Sequence, residues 1–140
     1  MGARSSSVFN GDKEQFGPGF SFDGNHHIDA FYFKSEDEQF PWLEIELKNN
    51  SILSHLDVFH VMDYNDTMIE IRLGYEQVPA NFSGELLQIN SLCGDFAAES
   101  IDGNEHLIHC TGTMQGQFLT LQLLGEGTLK VLEIQLNPSE

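Results

Sequence analysis

The stretch His60-Val61-Met62-Asp63-Tyr64-Asn65-Asp66-Thr67 gathers an imidazole, two carboxylates, an amide and a phenol on consecutive positions. Carboxylate and amide oxygens accept hydrogen bonds from hydroxyl groups, and a Tyr ring offers an apolar face. The set therefore suits a neutral, hydroxyl-rich ligand. The same residues equally make an ordinary turn, because Asn and Asp bond readily to their own backbone. No Lys or Arg occurs between Lys48 and Arg72, so this stretch has no cationic donor. In Asp23-Gly24-Asn25 the glycine permits a tight backbone and the flanking oxygens point inward together. The remaining histidines, His26, His27, His55, His106 and His109, show no metal-binding spacing linked to the cysteines. His106 and His109 are three apart on what reads as a strand, so they face opposite sides. All five read as ordinary polar positions. Gly-x-Ser-x-Gly, His-Glu-x-x-His and phosphate-loop patterns do not occur. Carboxylates are so plentiful that a close pair carries little meaning. The chain reads as a binder and not an enzyme.

Charge narrows the partners. Twenty-two Asp and Glu face six Lys and Arg, a formal −16. Phosphate backbones and anionic lipid surfaces repel such a chain, which excludes nucleic acid as a partner. No apolar run approaches the roughly 18 residues of a membrane helix, so membrane insertion is excluded too. Acidity of this degree serves solubility, calcium binding or a basic protein partner. Met1 to Ser7 carries Arg4 and serines without an apolar segment, so no signal peptide is read there. Cys93 and Cys110 by count alone are as readily free thiols as a bridge. The sequons Asn49-Asn50-Ser51, Asn65-Asp66-Thr67 and Asn81-Phe82-Ser83 lie in stretches that read as turns. They favour a secreted, extracellular glycoprotein, and in that compartment the two cysteines pair.

The elements that must position these residues are strands. Leu43-Glu44-Ile45-Glu46-Leu47 and Met68-Ile69-Glu70-Ile71-Arg72-Leu73 alternate apolar and polar with period two. Leu56–Val61, Leu86–Ile89, Leu107–Cys110, Phe118–Leu124 and Leu129–Leu136 are further strand-like runs. Gly125-Glu126-Gly127 between the last two is a hairpin signal. Residues 1–41 read as irregular, with Phe16-Gly17-Pro18-Gly19-Phe20 a loop. No sustained helical stripe is present. Short strands separated by turn signals across residues 1–140 predict one all-β domain, a single β-sandwich.

The order of local features resembles the F-type (fucose-binding) lectin domains of the discoidin-like superfamily. Gly2-Ala3-Arg4-Ser5-Ser6-Ser7-Val8-Phe9 is similar to their small-residue start. Phe22-Asp23-Gly24-Asn25 resembles their Asp-Gly-Asn turn, and Phe40-Pro41-Trp42-Leu43-Glu44-Ile45-Glu46-Leu47 their Pro-Trp-Trp strand. Ile69-Glu70-Ile71-Arg72-Leu73-Gly74 is similar to their "EIRVG" strand. Cys93, Cys110, Met114-Gln115-Gly116-Gln117-Phe118-Leu119 and Leu132-Glu133-Ile134-Gln135-Leu136 follow in family order. The resemblance covers roughly residues 2–136 and implies a jelly-roll sandwich with Trp42 anchoring its core.

The resemblance also implies a structural calcium ion near the Asp-Gly-Asn turn. The matching positions are Asp23, Asn25, Ser35, Glu133 and the carbonyl of Leu132, and calcium wants six to eight oxygens. Phe20 stands where the family often has an Asn ligand, and Glu36-Asp37-Glu38 offers a substitute carboxylate. The family's fucose site is built from a His and two basic residues around an Asp. Here Glu38 falls near the His position, and the His60–Thr67 loop falls where the basic pair belongs. The implied function is a lectin-like domain that has lost the basic residues of the fucose motif. Its glycan or glycoprotein ligand would be held by Glu38, His60, Asp63, Tyr64, Asn65 and Asp66. The alternative is a protein-recognition or adhesion domain on the same scaffold.

Overall fold

A computed structural model describes residues 2–19, 32–59, 68–97, 105–131 and 133–138. The His60–Thr67 loop, the Asp23-Gly24-Asn25 turn and Leu132 lie outside these residues. The chain order is β1 (Gly2–Ser5), a four-residue helix α1 (Lys13–Phe16), β2 (Phe33–Lys34), β3 (Glu38–Gln39) and β4 (Trp42–Phe59). Then follow β5 (Met68–Gly74), β6 (Ser91–Ala97), β7 (Glu105–Leu123), β8 (Glu126–Gly127), β9 (Lys130–Val131) and β10 (Glu133–Pro138).

The ladder order of the main sheet is β1-β4-β7-β5-β6, with β10 also on β4 and every pairing antiparallel. In that order β5 separates β6 from β7. Yet Cys93 of β6 and Cys110 of β7 have Cα atoms 4.2 Å apart and share a disulfide. The sheet therefore doubles back on itself, and β6 lies over the first half of β7. β4 and β7 run through both layers. Their outer halves, Trp42–Glu46 against Gln122–Phe118, belong to one layer with β1, β5 and β6. Their other halves, His55–Phe59 against His109–Glu105, belong to the second with β10.

Two register shifts make the crossing possible, one between Glu46 and Ser51 and one between Leu53 and His55. Irregularities of this kind bend a strand and change which side chains point inward. On β4 the residues that enter the main core are Leu43, Ile45 and Leu47 in the first half but Leu56 and Val58 in the second, a change of parity. On β7 the same change separates Ile108 and Cys110 from Leu119, Leu121 and Leu123. Both halves of each long strand thus send side chains into one common core, which also holds Ile69, Ile71, Leu73 and Ile134. At the bend Gly112 takes φ +82, a left-handed backbone that favours glycine. Gly116 packs so closely on Gly74 that a Cβ there would sit 2.6 Å from the Gly74 backbone.

The strand reading holds for the alternating stretches and needs correction elsewhere. Leu43–Leu47 and Leu56–Val61 are parts of one continuous strand as far as Phe59, and the runs Leu107–Cys110 and Phe118–Leu124 fuse likewise up to Leu123. The sequon at Asn49 consequently lies within β4 and not in a turn. Leu86–Ile89 is not a strand; Leu87 is instead a buried anchor of the irregular segment 75–90. The strand in that region is β6, and the irregular first 41 residues contain β1, α1, β2 and β3. Gly125-Glu126-Gly127 makes no hairpin between its flanking runs, because β8 pairs with β3, β9 with β2 and β10 with β4.

Trp42 is 3% exposed, but it does not anchor the inner core. It lies on the opposite face of β4 from Leu43, in a second cluster with Val78, Leu87, Phe82 and Ile89. Segment 75–90 covers this face and is fastened to it by polar groups. The Trp42 indole donates from Nε1 to the Phe82 carbonyl at 2.9 Å. Gln122 accepts from the Leu87 amide at 2.8 Å and donates to the carbonyls of Phe40 and Glu85 at 3.0 and 2.9 Å. Glu44 is 1% exposed. One of its oxygens accepts from Arg4 Nε and Nη2 at 3.0 and 2.8 Å, and the other accepts from the Val78 amide at 2.6 Å. Arg4 Nη2 also donates to the Val78 carbonyl at 2.6 Å, so the ion pair and the loop backbone close on each other.

Candidate functional site

Where β1, α1 and the covering segment meet, a cleft of about 560 Å³ opens. That volume is within the range of small-molecule sites. Arg4, Ser5, Ser7, Lys13, Asn81 and Phe82 line it, with Trp42 forming part of the wall. Arg4 reaches it from β1 and is 5.8 Å from the Trp42 ring centre, as a cation over an aromatic face. Its forked pairing with Glu44 sets its orientation and neutralises its charge. Lys13 is exposed at the start of α1, where the Asp12 side chain caps the Gln15 amide. Asn81 is exposed on a turn closed by the Phe82 amide and the Pro79 carbonyl, with φ +66. The cleft therefore offers hydroxyls, an amide, two cations and an aromatic side chain, groups able to hold a polyol.

A second polar-aromatic assembly flanks the entry to residues 20–31. Phe9 and Phe16 meet edge to face at 5.3 Å, and Phe16 meets Tyr32 at 5.7 Å. The Lys34 ammonium lies 3.5 Å from the Phe9 ring centre and 5.5 Å from that of Phe16. Burial pushes the Lys34 pKa below the usual lysine value, Lys130 directly opposite pushes the same way, and Glu36 opposes them.

Of the residues singled out by sequence for a ligand, Glu38 is described in full. Its Oε1 accepts hydrogen bonds from the hydroxyls of Ser6 and Ser7, the latter at 2.9 Å. Ser7 also accepts from the Glu36 amide, and Ser6 accepts from the Trp42 amide, both at close range. Glu38 thus straps the amino-terminal serines to β3. His60, Asp63, Tyr64, Asn65 and Asp66 fall outside the described residues, as do Asp23, Asn25 and Leu132. Glu133 opens β10 opposite Phe59. Cys93 and Cys110 form the expected disulfide.

Ser35, read from the sequence as a calcium ligand, has a defined set of protein partners. It is buried, donates from Oγ to the Glu36 carbonyl at 2.9 Å and accepts from the Leu129 amide at 2.8 Å. Its own amide donates to the Leu129 carbonyl. Ser35 therefore stands opposite Leu129, two pairs beyond the Phe33–Val131 pair that precedes Leu132 in the chain. The serine thus extends the β2–β9 ladder. Among the described residues no three His, Cys, Asp or Glu side chains gather as a metal site.

Sequence reasoning missed the cleft. Its signal was the pairing of Arg4 and Lys13, two of only six cations in the chain, both ahead of the Asp-Gly-Asn turn. In the sequence Asn81 stands out as a sequon, a signal for glycosylation and not for a cleft.

No family model matches the chain, and no curated protein matches it. Solved structures do. A serum F-lectin (fucolectin) from striped bass, Morone saxatilis, superposes with a TM-score of 0.80 at 18% identity over 98% of this chain. This chain spans about half of that lectin's length, 46%. An F5/8 type C domain of a Bacteroides fragilis protein matches with a TM-score of 0.71 at 15% identity, covering 96% of this chain and 89% of that one. A fucose-binding module of Streptococcus pneumoniae matches with a TM-score of 0.69 at 18% identity, covering 99% and 94%. The chain has the discoidin-like β-sandwich fold, and among its described residues no helix is long and apolar enough to cross a membrane.

Proposed function

We propose that this chain is an extracellular, non-catalytic glycan-binding domain that holds a neutral sugar and has given up the cationic fucose site. The observation that carries this reading is the whole-chain match to sugar-binding modules. The matching structures include the fucose-binding module and the lectin domain of lectinolysin complexed with Lewis b antigen. The disulfide and the exposed sequon at Asn81 support an oxidising, secretory location and a glycoprotein. Residues Glu38, His60, Asp63, Tyr64, Asn65 and Asp66 supply acceptors and an aromatic face to the ligand. Without Lys or Arg between residues 48 and 72, each lost charge-assisted hydrogen bond to fucose costs about 1.5–3 kcal/mol. Sialylated and sulfated glycans are repelled.

On a glycan array the protein is expected to retain neutral glycans, to bind free fucose weakly or not at all, and to lose retention on Asp63→Ala or Asp66→Ala. Micromolar fucose binding that survives Asp63→Ala would show the site to be elsewhere. The −16 charge favours a second reading, recognition of a basic protein. That reading predicts an empty array and a partner whose affinity falls steeply with salt.

A structural calcium ion forms part of the proposal, held by Asp23, Asn25, Ser35, Glu133 and the Leu132 carbonyl. The Phe33–Val131 pairing supports it, because the chain leaving residues 20–31 enters the fold beside the strand that leads to Leu132 and Glu133. Calcium at a hundred times its Kd is expected to stabilise the fold by about 2.7 kcal/mol. Differential scanning calorimetry with millimolar calcium against chelator checks this, and coincident transitions would remove calcium from the proposal.

A further inference from the structure

His55 and His109 read as unrelated positions in the sequence, yet they pair directly across the β4–β7 ladder. Their ring centres are 5.6 Å apart and their planes are inclined by 36°. His109 is exposed and His55 half-buried, so both rings reach the outer surface of the second layer. Two inward neighbours enforce this. Leu56 is fully buried in the core, and Cys110 is drawn inward by its disulfide to Cys93. Side chains alternate along a strand, so His55 and His109 must face outward together. The register shift between Leu53 and His55 sets which β7 residue faces His55.

The geometry points to a surface site for a borderline divalent transition-metal ion, Zn2+ or a chemically similar ion, chelated by His55 and His109. Zinc binds imidazole nitrogen at about 2.0–2.1 Å, which puts it about 3.2 Å from the ring centre, and a tetrahedral angle then separates two ring centres by about 5.2 Å. The observed 5.6 Å differs from that by about half an ångström, within the reach of a side-chain torsion. Both imidazoles stand on paired strands beside a covalent cross-link, so little ordering is needed on binding. The net charge of −16 raises the local concentration of cations at the surface. Two protein ligands leave two positions for water or for a donor from another molecule. Oxygen-seeking calcium and magnesium have no preference for such a site. This inference is independent of the glycan reading and of the calcium ion.

The test is isothermal titration of the full-length, tag-free protein with zinc chloride, in parallel with His55→Gln and His109→Gln. Both side chains reach the surface, so both variants are expected to fold, with wild-type circular dichroism as the check. Wild type should bind one zinc ion saturably, and each variant should bind at least tenfold more weakly. Imidazole nitrogen NMR signals of His55 and His109 should shift with zinc and stay in place with calcium or magnesium. Absence of saturable binding by wild type up to millimolar zinc, or isotherms that neither variant alters, would overturn the site.

Discussion

Replacing Glu44 by Ala should destabilise the fold by about 3–5 kcal/mol, the usual result of removing one partner from a buried ion pair. The carboxylate is 1% exposed and receives hydrogen bonds from Arg4 and the Val78 amide. Its loss leaves the Val78 N–H without an acceptor and the guanidinium held beside an apolar gap. The Arg4 side chain is 38% exposed and regains water in part, which pulls the expected loss toward the lower end of the range. Glu44→Gln keeps an acceptor but loses the charge and presents an amide donor to one of two donors, so an intermediate loss of about 1–3 kcal/mol is expected. Urea denaturation measures both. The damage should be local as well as global. Segment 75–90 is fastened to β4 and β7 through Glu44, Trp42 and Gln122, so Val78 and Leu87 amides should exchange hydrogen faster in the Glu44 variants. A loss below about 1 kcal/mol for Glu44→Ala would mean that water already reaches the carboxylate.

Removing the Cys93–Cys110 disulfide should cost about as much. The bridge spans 17 residues, and on the chain-entropy model a loop of this length contributes about 3 kcal/mol by restricting the unfolded chain. For a chain of this size that corresponds to a fall in Tm of roughly 10 °C. The bond also joins strands that share no ladder, β6 at one edge and the first half of β7 in the other layer. Without it, the closure of the sheet rests on side-chain packing alone. A Cys93→Ala, Cys110→Ala double variant compared by calorimetry with the oxidised protein tests this. The wild-type protein should also show no reactive thiol when denatured without reductant. An unchanged Tm in the double variant would show that packing of β6 on β7 suffices.

The legible parts of the chain were those where structure follows from neighbours in sequence. Leu43, Ile45 and Leu47, then Ile69, Ile71 and Leu73, show period-two alternation because one face of each strand is buried, and that pattern is local. The acidic balance, the missing cations between Lys48 and Arg72 and the two cysteines likewise needed no third dimension. From these came the all-β sandwich and, with the sequons, the Cys93–Cys110 bridge. β6 escaped because Gly94 and Asp95 interrupt its alternation and Leu92 stays exposed at the sheet edge. The β4 and β7 runs read as separate strands because their parity changes at the bend, and a bulge has no local composition that announces it.

What only the tertiary structure decided were the pairings between residues far apart in sequence. Glu44 looks like the outward residue of an amphipathic strand until Val78, 34 positions on, covers it. Trp42 looks like a core aromatic until segment 75–90 gives it a cluster of its own. Ser35 reads as a polar loop residue until its hydroxyl is found between Glu36 and Leu129. His55 and His109 become neighbours through a register set by three-residue offsets on two strands. Alternation says which way a side chain points, but what it meets depends on which strands lie alongside and in what register. That is settled by the burial of the whole apolar set at once.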